Sequence, residues 1–331
     1  MVVSIRDVAD RAGVSVGTVS NVLNRPSAVA DETVRRVRRA IDELGYVRND
    51  AARQLRAGRS TTVGLIVLDA RNPFFMDVAR GAEDEAGTRG LSVLVGNSGE
   101  QLDREAAYLA LFQEQRVRGV LVSPIGDDLD RFVRLRESGI PVVLVDRGAP
   151  GSGFSYVSVD DERGGYLAVR HLLDQGRRRI AFVGGPPELR QVADRLAGAR
   201  RAVAEVADAT LEVLSRPALT VLEGRAAGEE LAARRSGGPD AVFAANDLLA
   251  IGVMQAFIMT RDIRVPGDIA LIGFDDIDFA QSAVVPLTSV RQPSEAIGAT
   301  ALGLLADEAD GAAPREIQFE PELVIRESTA G

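Results

Sequence analysis

The chain has 331 residues, of which 46% are hydrophobic, and it carries a formal net charge of −9. It contains no cysteine, which excludes disulfides, thiolate metal sites and cysteine nucleophiles, and its one histidine is His171. No apolar run approaches the ~18 residues of a membrane span, and charged residues stand where a signal peptide needs an apolar stretch. We therefore expect a cytoplasmic protein that makes no membrane contact.

The charge is distributed unevenly along the chain. Residues 1–60 contain 11 arginines and 7 acidic residues, a net charge of +4, whereas the remainder contains 28 arginines and 41 acidic residues, a net charge of −13. A small basic module on a larger acidic body is typical of a protein in which one part contacts phosphate groups.

Residues 8–24 (VADRAGVSVGTVSNVLN) predict two short helices joined by a tight turn. Ser4, followed three residues later by Asp7, predicts a capped start to the first helix. Gly13 supplies a left-handed turn residue, and Ser15 is placed to cap the second helix. This spacing predicts a helix–turn–helix, with an ordinary helical hairpin as the alternative.

The second helix carries short side chains at its front and on its outer face, as a DNA-recognition helix does. Its remaining apolar residues, Val19, Val22 and Leu23, are expected to pack inward. The residues that we expect to contact DNA in this region are Ser15, Val16, Gly17, Thr18, Ser20, Asn21 and Asn24.

A third helix is predicted from Asp31 to Leu44, closed by Gly45. Its apolar residues fall within an arc of roughly 80° and predict one buried face; they are Val34, Val37, Ile41 and Leu44. Arginines at positions 35, 36, 38 and 39 cover the opposite side. A solvated charged face explains most of these arginines better than phosphate contact does.

Residues 46–60 (YVRNDAARQLRAGRS) predict a short helix from Ala51 to Ala57, capped by Asn49 or Asp50. This segment has few apolar groups and cannot stay folded by itself. Two interpretations remain open: a hinge that becomes ordered on DNA, or a plain linker.

The N-terminal residues resemble the lactose-repressor (LacI/GalR) family of bacterial transcription regulators. The match consists of Ile5, Asp7, Val8, Ala9, Ala12, Gly13, Val14, Ser15, Thr18, Val19, Ser20, Val22, Leu23, Asn24, Leu44, Gly45, Tyr46, Ala52 and Leu55. The resemblance implies that residues 16, 17 and 21 read major-groove bases. It also implies that Leu55, with Arg56 beside it, wedges into a central minor-groove step of the operator.

Val16 and Gly17 depart from the side chains that many relatives carry at these positions. Val16 can contact a thymine methyl group, whereas Gly17 has no side chain with which to donate a hydrogen bond. We therefore expect Asn21, the hinge and the deformability of the DNA to carry more of the specificity.

From residue 62 onward, short apolar runs alternate with helical patterns, which predicts parallel sheets covered on both faces. With about 270 residues available, two such lobes are expected rather than one. The predicted strands are Val63–Leu68, Leu91–Val95, Val120–Val122, Val142–Val145, Ile180–Val183, Ala241–Ala244 and Ala270–Phe274.

Polar residues follow several of these strands, where ligands bind in sheets of this kind. Each of them is also suited to a helix cap or a turn. Their convergence on one crevice favours a binding site. The residues are Asp69, Asn72, Asp146, Asn246, Asp247, Asp275 and Asp276.

The family resemblance extends over nearly the whole length and implies an α/β effector domain of two lobes, like a periplasmic binding protein, behind an all-α helix–turn–helix domain. Its landmarks here include Asn72–Phe75, Asp194–Gly198 and Gly273–Asp276. By resemblance, the side chains that hydrogen-bond the effector are Asn72, Asp146, Arg195, Asn246, Asp275 and Gln292, and those that pack on it are Phe74 and Phe75. One of the two adjacent phenylalanines is equally suited to the core.

The predicted domain limits are residues 1–47 for the DNA-binding domain, 48–60 for the hinge, and 61–331 for the effector-binding and dimerisation domain. Within the last, the first lobe is expected over about 61–160 and 291–320, and the second over about 161–290 and 321–331. A homodimer on a palindromic operator is expected, because one recognition helix and one hinge leucine read half a site.

The predicted function is a repressor whose operator affinity is set by a small molecule. We favour a sugar or sugar derivative, because residues 218–228 (ALTVLEGRAAG) contain no aromatic lid. A purine or nucleoside, or a sugar phosphate, is the alternative ligand.

Two other classes of protein compete with this interpretation. An enzyme is disfavoured because His171 is alone, GxGxxG is missing, and a phosphate-binding P-loop needs a lysine that the chain lacks. No catalytic residue, metal ligand or cofactor is expected. A solute-binding protein fails to explain the basic N-terminal module and the missing signal peptide.

Overall fold

The computed structural model describes residues 3–46, 60–234, 237–260 and 263–330. The chain divides into two compact units, with the boundary between Arg59 and Ser60. Among the described residues, no helix is long and apolar enough to cross a membrane.

The first unit is built from three helices: α1 (Ile5–Ala12), α2 (Val16–Asn24) and α3 (Asp31–Leu44), with a 3₁₀ turn at Pro26–Ala28 between the last two. The predicted starts and stops are confirmed. The Ser4 hydroxyl accepts a hydrogen bond from the Asp7 backbone N–H while the Asp7 carboxylate accepts one from the Ser4 N–H. Gly13 and Gly45 end α1 and α3 in the left-handed conformation, with φ of 63° and 62°.

The core of this unit is small and aliphatic. Each helix contributes two or three buried residues, namely Val8, Ala9, Ala12, Val19, Val22, Val34, Val37 and Ala40. The predicted apolar face of α3 is slightly rotated, because Ala40 is buried while Ile41 and Leu44 are only partly covered. The four predicted arginines of α3 are all exposed.

The second unit contains two six-stranded sheets. The first has the order β11-β5-β4-β3-β1-β2 and the second the order β12-β10-β9-β8-β6-β7. All pairs are parallel except that of β10 with β12. The strands are β1 (Thr62–Val67), β2 (Ser92–Asn97), β3 (Val120–Val122), β4 (Val142–Val145), β5 (Ser155–Val159), β6 (Arg179–Gly184), β7 (Thr210–Ser215), β8 (Ala241–Ala244), β9 (Ala270–Asp275), β10 (Thr288–Arg291), β11 (Glu316–Phe319) and β12 (Glu322–Val324).

Helices connect the strands and cover the sheets. They are α4 (Pro73–Thr88), α5 (Leu102–Glu114), α6 (Asp130–Glu137), α7 (Asp161–Asp174), α8 (Arg190–Ala204), α9 (Val221–Ala232), α10 (Asp247–Thr260), α11 (Asp278–Ser282) and α12 (Ser294–Ala309). Each sheet with its helices forms one lobe. The chain passes between the lobes three times, after β5, after β10 and after β11.

The seven predicted strands are present, three with the predicted bounds and four with bounds shifted by one or two residues, but the structure has five further strands. β7, β11 and β12 lie at sheet edges and carry glutamate or glutamine, so they lack the continuous apolar run used to find strands. β5 (SYVSV) and β10 (TSVR) contain serines, of which Ser155 and Ser289 hydrogen-bond inside the lobes, so neither strand is a continuous apolar run.

Glycine allows the helices of each lobe to pack closely. A Cβ atom at Gly81 of α4 would lie 2.0 Å from the carbonyl oxygen of Glu295, and one at Gly298 of α12 would lie 1.9 Å from that of Val78. This contact ties α12, which follows the second crossing, to α4 of the first lobe. The N-terminus of α4 is thereby fixed beside the crevice between the lobes.

Candidate functional site

Helix α2 of the first unit leaves its front turn exposed. The Ser15 hydroxyl accepts a hydrogen bond from the Thr18 backbone N–H at 3.1 Å and lies 2.9 Å from the Thr18 hydroxyl. Val16 is 37% exposed, and Gly17 and Asn21 are exposed as well. These residues occupy the first two turns of a helix held from behind by buried Val19 and Val22, so their outer surface is free for base edges.

Asn24 and Ser20 are hydrogen-bonded to each other at the end of α2. The Asn24 side-chain amide donates to the Ser20 carbonyl at 2.8 Å and to its hydroxyl at 3.2 Å. Their contact with DNA stays a prediction, as does that of the other α2 residues. Leu55 and Arg56 lie outside the described residues.

In the second unit, a cavity of about 30 Å³ lies at the carboxyl ends of the central strands of both lobes. The first lobe contributes the turns after β1, β2 and β4 and the start of α4, and the second contributes α8 and the segments after β6, β7, β8 and β9. The lining residues are Leu68, Asp69, Asn72, Phe74, Phe75, Glu100, Asp146, Leu189, Gln191, Val192, Arg195, Leu219, Asn246 and Asp275.

Asp275, at the end of β9, is the centre of a hydrogen-bond network. Its two carboxylate oxygens accept hydrogen bonds from the side-chain amides of Asn72 and Gln292, each at 2.8 Å. The Arg195 guanidinium lies 3.8 Å from one of them. Its backbone φ of +106° is rare for a residue with a side chain, so the surrounding contacts must hold it in place.

Arg195 projects from α8 and is 4% exposed. It donates to the Asp161 carboxylate at 2.7 Å and to the Ala245 carbonyl at 2.7 Å. Its guanidinium carbon lies 3.6 Å from the centre of the Phe274 ring, in a cation–π contact. These partners fix the plane of the guanidinium group, as a ligand-binding fork requires.

Asp146 follows β4 with φ of +65°, and its carboxylate accepts a hydrogen bond from the Gln191 amide at 2.7 Å. Burial raises the pKa of Asp146 well above its usual value, and the negative charge of Asp161 raises it further. Burial also raises the pKa of Asp161 to about 6, against the lowering effect of Arg195. The cavity therefore concentrates carboxyl groups in an environment that opposes their ionisation.

Two of these hydrogen bonds join the lobes. Asn72 of the first lobe binds Asp275 of the second, and Gln191 of the second binds Asp146 of the first. Both lie on the cavity wall, so a ligand that binds these groups acts directly on the contacts between the lobes.

The apolar part of the wall differs between the lobes. On the first lobe, Phe74 and Phe75 are both buried and meet edge to face, with ring centres 5.1 Å apart. The Asn72 side chain caps α4 by accepting the Phe74 backbone N–H at 3.1 Å, which positions the rings. On the second lobe, the wall is aliphatic and consists of Leu189, Val192 and Leu219.

The structure brings together almost all the residues predicted for the effector site. Seven line the cavity, and the eighth, Gln292, lies behind it as a donor to Asp275. Two strand-end acids lie elsewhere. Asp247 accepts from the Ser289 hydroxyl and the Ile277 N–H, whereas Asp276 pairs with the arginines at 291 and 326.

Sequence reasoning missed two polar residues of the wall, Glu100 and Gln191. Glu100 follows an edge strand whose end was not considered, and Gln191 lies at the start of α8 rather than after a strand. Glu100, three residues after β2, carries the signal of a polar residue at the same sheet edge, whereas Gln191, seven residues after β6, carries no such signal. Within the described ranges, no group of three His, Cys, Asp or Glu side chains is placed to hold a metal ion.

Comparison with known proteins gives the family. Residues 4–49 match the bacterial regulatory proteins of the lacI family, and residues 169–329 match the periplasmic binding protein-like domain. The HTH-type transcriptional repressor PurR of Vibrio parahaemolyticus is 34% identical over 340 residues, which cover 98% of this chain and 97% of that protein.

Solved structures agree over the full length. The complex of the transcriptional regulator CelR with cellobiose is 35% identical, with a TM-score of 0.72 over 98% of this chain and 99% of that one. The lac repressor dimer bound to operator and the anti-inducer ONPF is 26% identical, with a TM-score of 0.84 over 99% of each chain. A helix–turn–helix unit joined to a two-lobed binding unit is the organisation of a ligand-controlled transcriptional repressor, and the chain belongs to the lacI family of bacterial regulatory proteins.

Proposed function

We propose that this chain acts as a homodimer that binds a palindromic operator, and that a carbohydrate bound in the cavity between the lobes changes its affinity for that operator. The observation that carries the proposal is the convergence of hydrogen-bonding side chains from both lobes on one cavity. The crevice binds a ligand in this proposal and catalyses no reaction on it.

The polar groups of the wall match the hydroxyl groups of a sugar. Asp146 and Asp275 accept hydrogen bonds, Asn246 both donates and accepts, and Arg195 donates from a fixed plane. The rings of Phe74 and Phe75 offer an apolar surface to the C–H groups of one sugar face. Complexes of similar proteins support this class, since CelR was solved with cellobiose.

A purine is the second candidate, because the PurR repressors are similar over nearly the whole chain. The composition of the wall favours the sugar. A flat base gains most from aromatic rings on both faces, and the segment after β7 contributes only Leu219 to the wall. A sugar phosphate is less well supported, because several carboxylates and one arginine line the cavity.

The lobes must separate to admit any of these ligands. The cavity of about 30 Å³ is far below the roughly 300–1,000 Å³ typical of small-molecule sites. Opening breaks the Asn72–Asp275 and Gln191–Asp146 hydrogen bonds, and the ligand replaces them with its own. A ligand that favours one lobe angle shifts the population toward it, and we propose that residues 48–60 transmit this change to the DNA-binding unit.

On the operator side, we propose that Val16, Gly17 and Asn21 read bases and that Leu55 wedges into the minor groove. Leu55→Ala should weaken binding to the operator far more than binding to unrelated duplexes, because wedging depends on the deformability of one step. Filter binding or fluorescence anisotropy measures both affinities. Equal losses on the two duplexes would exclude the wedge.

The test of the ligand class is thermal unfolding of the purified protein with sugars, sugar phosphates, nucleosides and nucleobases. A ligand at 100 times its dissociation constant adds about 2.7 kcal/mol to the stability of the domain that binds it. We expect stabilisation by members of the carbohydrate set. Stabilisation by nucleobases alone would overturn the sugar proposal in favour of a purine.

A further inference from the structure

The cavity wall carries more negative than positive charge. Four carboxylates line it, from Asp69, Glu100, Asp146 and Asp275, whereas Arg195 is its one cationic residue among the described residues. Arg195 is already committed to Asp161, at 2.7 Å, and lies near Asp275. Since charges taken out of water need partners, the pairing of each carboxylate decides what a ligand must supply.

Two of the four carboxylates are compensated within the protein. Asp69 is bound by the Arg71 guanidinium, whose Nε lies 2.9 and 3.0 Å from its oxygens, and it also accepts the Arg71 backbone N–H. Asp275 receives two amide donors and lies within ion-pair distance of Arg195. Neither Asp69 nor Asp275 therefore needs a further cation from a ligand.

Glu100 has no such partner. Its carboxylate makes no hydrogen bond or ion pair within the described part of the chain, and the residue is half-buried. Burial raises the pKa of Glu100, and the neighbouring charge of Asp69 raises it further, against the lowering effect of Arg71, which is already bound to Asp69. Asp146 differs from Glu100, because its carboxyl group accepts a hydrogen bond from the Gln191 amide and has the charge of Arg195 nearby.

The position of Glu100 is fixed by the backbone around it. Its N–H donates to the Leu68 carbonyl at 3.1 Å, and its φ is +60°. The preceding turn is tied to the turn after β1, because the Asn97 side chain accepts the N–H groups of Ala70 and Gly99. The backbone of Glu100 is therefore fixed beside the cavity wall, with the side chain within reach of a bound ligand.

We infer that the effector carries a basic nitrogen that pairs with Glu100, as in an amino sugar or another polyhydroxylated amine. This inference rests on the proposed function and narrows its ligand class. An ammonium group supplies the positive charge that the wall lacks and forms charge-assisted hydrogen bonds with Glu100 in the negative field of Asp69. The same field opposes phosphorylated ligands.

The first test compares matched ligands by isothermal titration calorimetry. Glucosamine, galactosamine and mannosamine are each compared with two uncharged ligands: the parent hexose and the N-acetyl derivative. The N-acetyl derivative keeps the bulk of the substituent without its charge. For the hexose configuration that the site accepts, the amine should bind at least about tenfold more tightly than either uncharged form. Equal or tighter binding of the uncharged forms would overturn the inference while leaving the sugar proposal intact.

The second test assigns the preference to Glu100. In Glu100→Gln the ratio of amine to hexose affinity should fall to near one, because the amide keeps the shape and removes the charge. Glu114→Gln, at the exposed far end of α5, is the matched control and should keep the wild-type ratio. A ratio unchanged in Glu100→Gln would overturn the assignment.

A third readout needs no ligand. Removing a half-buried charge that has no hydrogen-bond partner should raise the melting temperature of Glu100→Gln by about 2–4 °C, the shift expected for roughly 1 kcal/mol in a domain of this size. Glu114→Gln should melt within about 1 °C of the wild type. An unchanged or lower melting temperature for Glu100→Gln would show that its charge is already satisfied and would overturn the inference.

Spermidine and agmatine separate this inference from the proposed function. One outcome is that these amines bind the wild-type protein but not Glu100→Gln, while no sugar binds. That result would overturn the sugar proposal and support the inference that the effector carries a basic nitrogen. If no amine of either kind binds, the basic nitrogen is overturned.

Discussion

The two units of this chain keep their functional side chains in opposite surroundings. In α2, Val16, Gly17 and Asn21 project from a small aliphatic core into open space. In the crevice, Asp146, Arg195 and Asp275 are each at most 6% exposed, and each contacts other buried side chains of the site. Function and stability are therefore separable in the first unit, whereas in the second a change to a ligand-binding side chain also changes the fold's own contacts.

The largest effect is expected at Arg195. Arg195→Ala should lower the free energy of unfolding of the second unit by about 3–5 kcal/mol, because it leaves Asp161 and Asp275 buried without their cation. Urea unfolding followed by circular dichroism measures this loss. Arg190→Ala on the same helix removes only an exposed pair with Asp194 and should cost less than about 1 kcal/mol. Similar losses in the two variants would contradict the role of burial.

The next effect separates two adjacent acids. Asp275→Asn should lower the affinity for the effector that the ligand panel identifies by about 100-fold, because it removes a charged acceptor from the cavity wall. Asp276→Asn removes the partner of Arg291 and Arg326, outside the cavity, and should lower stability while leaving effector affinity within about threefold. Calorimetry on both variants gives the comparison. An equal loss of affinity in Asp276→Asn would mean that the site is sensitive to the fold as a whole.

In the first unit, Gly17→Ala should separate stability from DNA binding. A Cβ atom there would meet only the Ser15 hydroxyl, at 3.6 Å, so the helix gains about 0.5–1 kcal/mol of stability. Operator affinity should nevertheless fall by about tenfold, because the methyl group lies on the proposed base-reading surface.

Gly87→Ala is the control for this change. Gly87 lies on α4, and a methyl group added there would have nothing within 4 Å, so the substitution should stabilise the second unit without altering operator affinity. Anisotropy titrations with operator DNA decide the matter. An unchanged operator affinity in Gly17→Ala would remove residue 17 from the DNA interface.

The smallest effect is a dependence on pH that only the buried site should show. Because folding raises the pKa of Asp161 from 3.8 to about 6, the folded state binds a proton that the unfolded state lacks between these values. Its contribution should therefore increase stability as the pH falls from 6 to 4. The unfolding free energy of the wild type minus that of Asp161→Asn should increase as the pH falls from 6 to 4. A difference that stays constant or decreases over this range would contradict the raised pKa.

The same contrast explains what the sequence could predict. In the first unit, Ser4, Gly13, Ser15 and Gly45 act on residues three or four positions away, so local patterns were enough to locate its helices. In the second, Asn72 and Asp275 are 203 positions apart, and their hydrogen bond depends on how the two sheets are ordered. The family resemblance implied the two lobes, and the strand-end rule supplied most of the polar residues of the wall.

Two polar residues of the cavity wall were missed by the sequence patterns, for a shared physical reason. Glu100 and Gln191 lie three and seven residues beyond the ends of β2 and β6, and neither belongs to a motif of the resemblance. The partner of Gln191 is Asp146, 45 positions away. Pairings of this kind arise from the closure of the two lobes, which no local pattern records.

The measurement that bears most directly on ligand control is operator affinity with and without the effector that the panel identifies, in wild type and Asp275→Asn. Fluorescence anisotropy on the preferred operator duplex should show a roughly 5–150-fold change in wild-type affinity at saturating ligand, the usual range of such coupling. Asp275→Asn should show no change at the same ligand concentration. A wild-type protein that binds the ligand with unchanged operator affinity would contradict the proposed coupling between cavity and DNA.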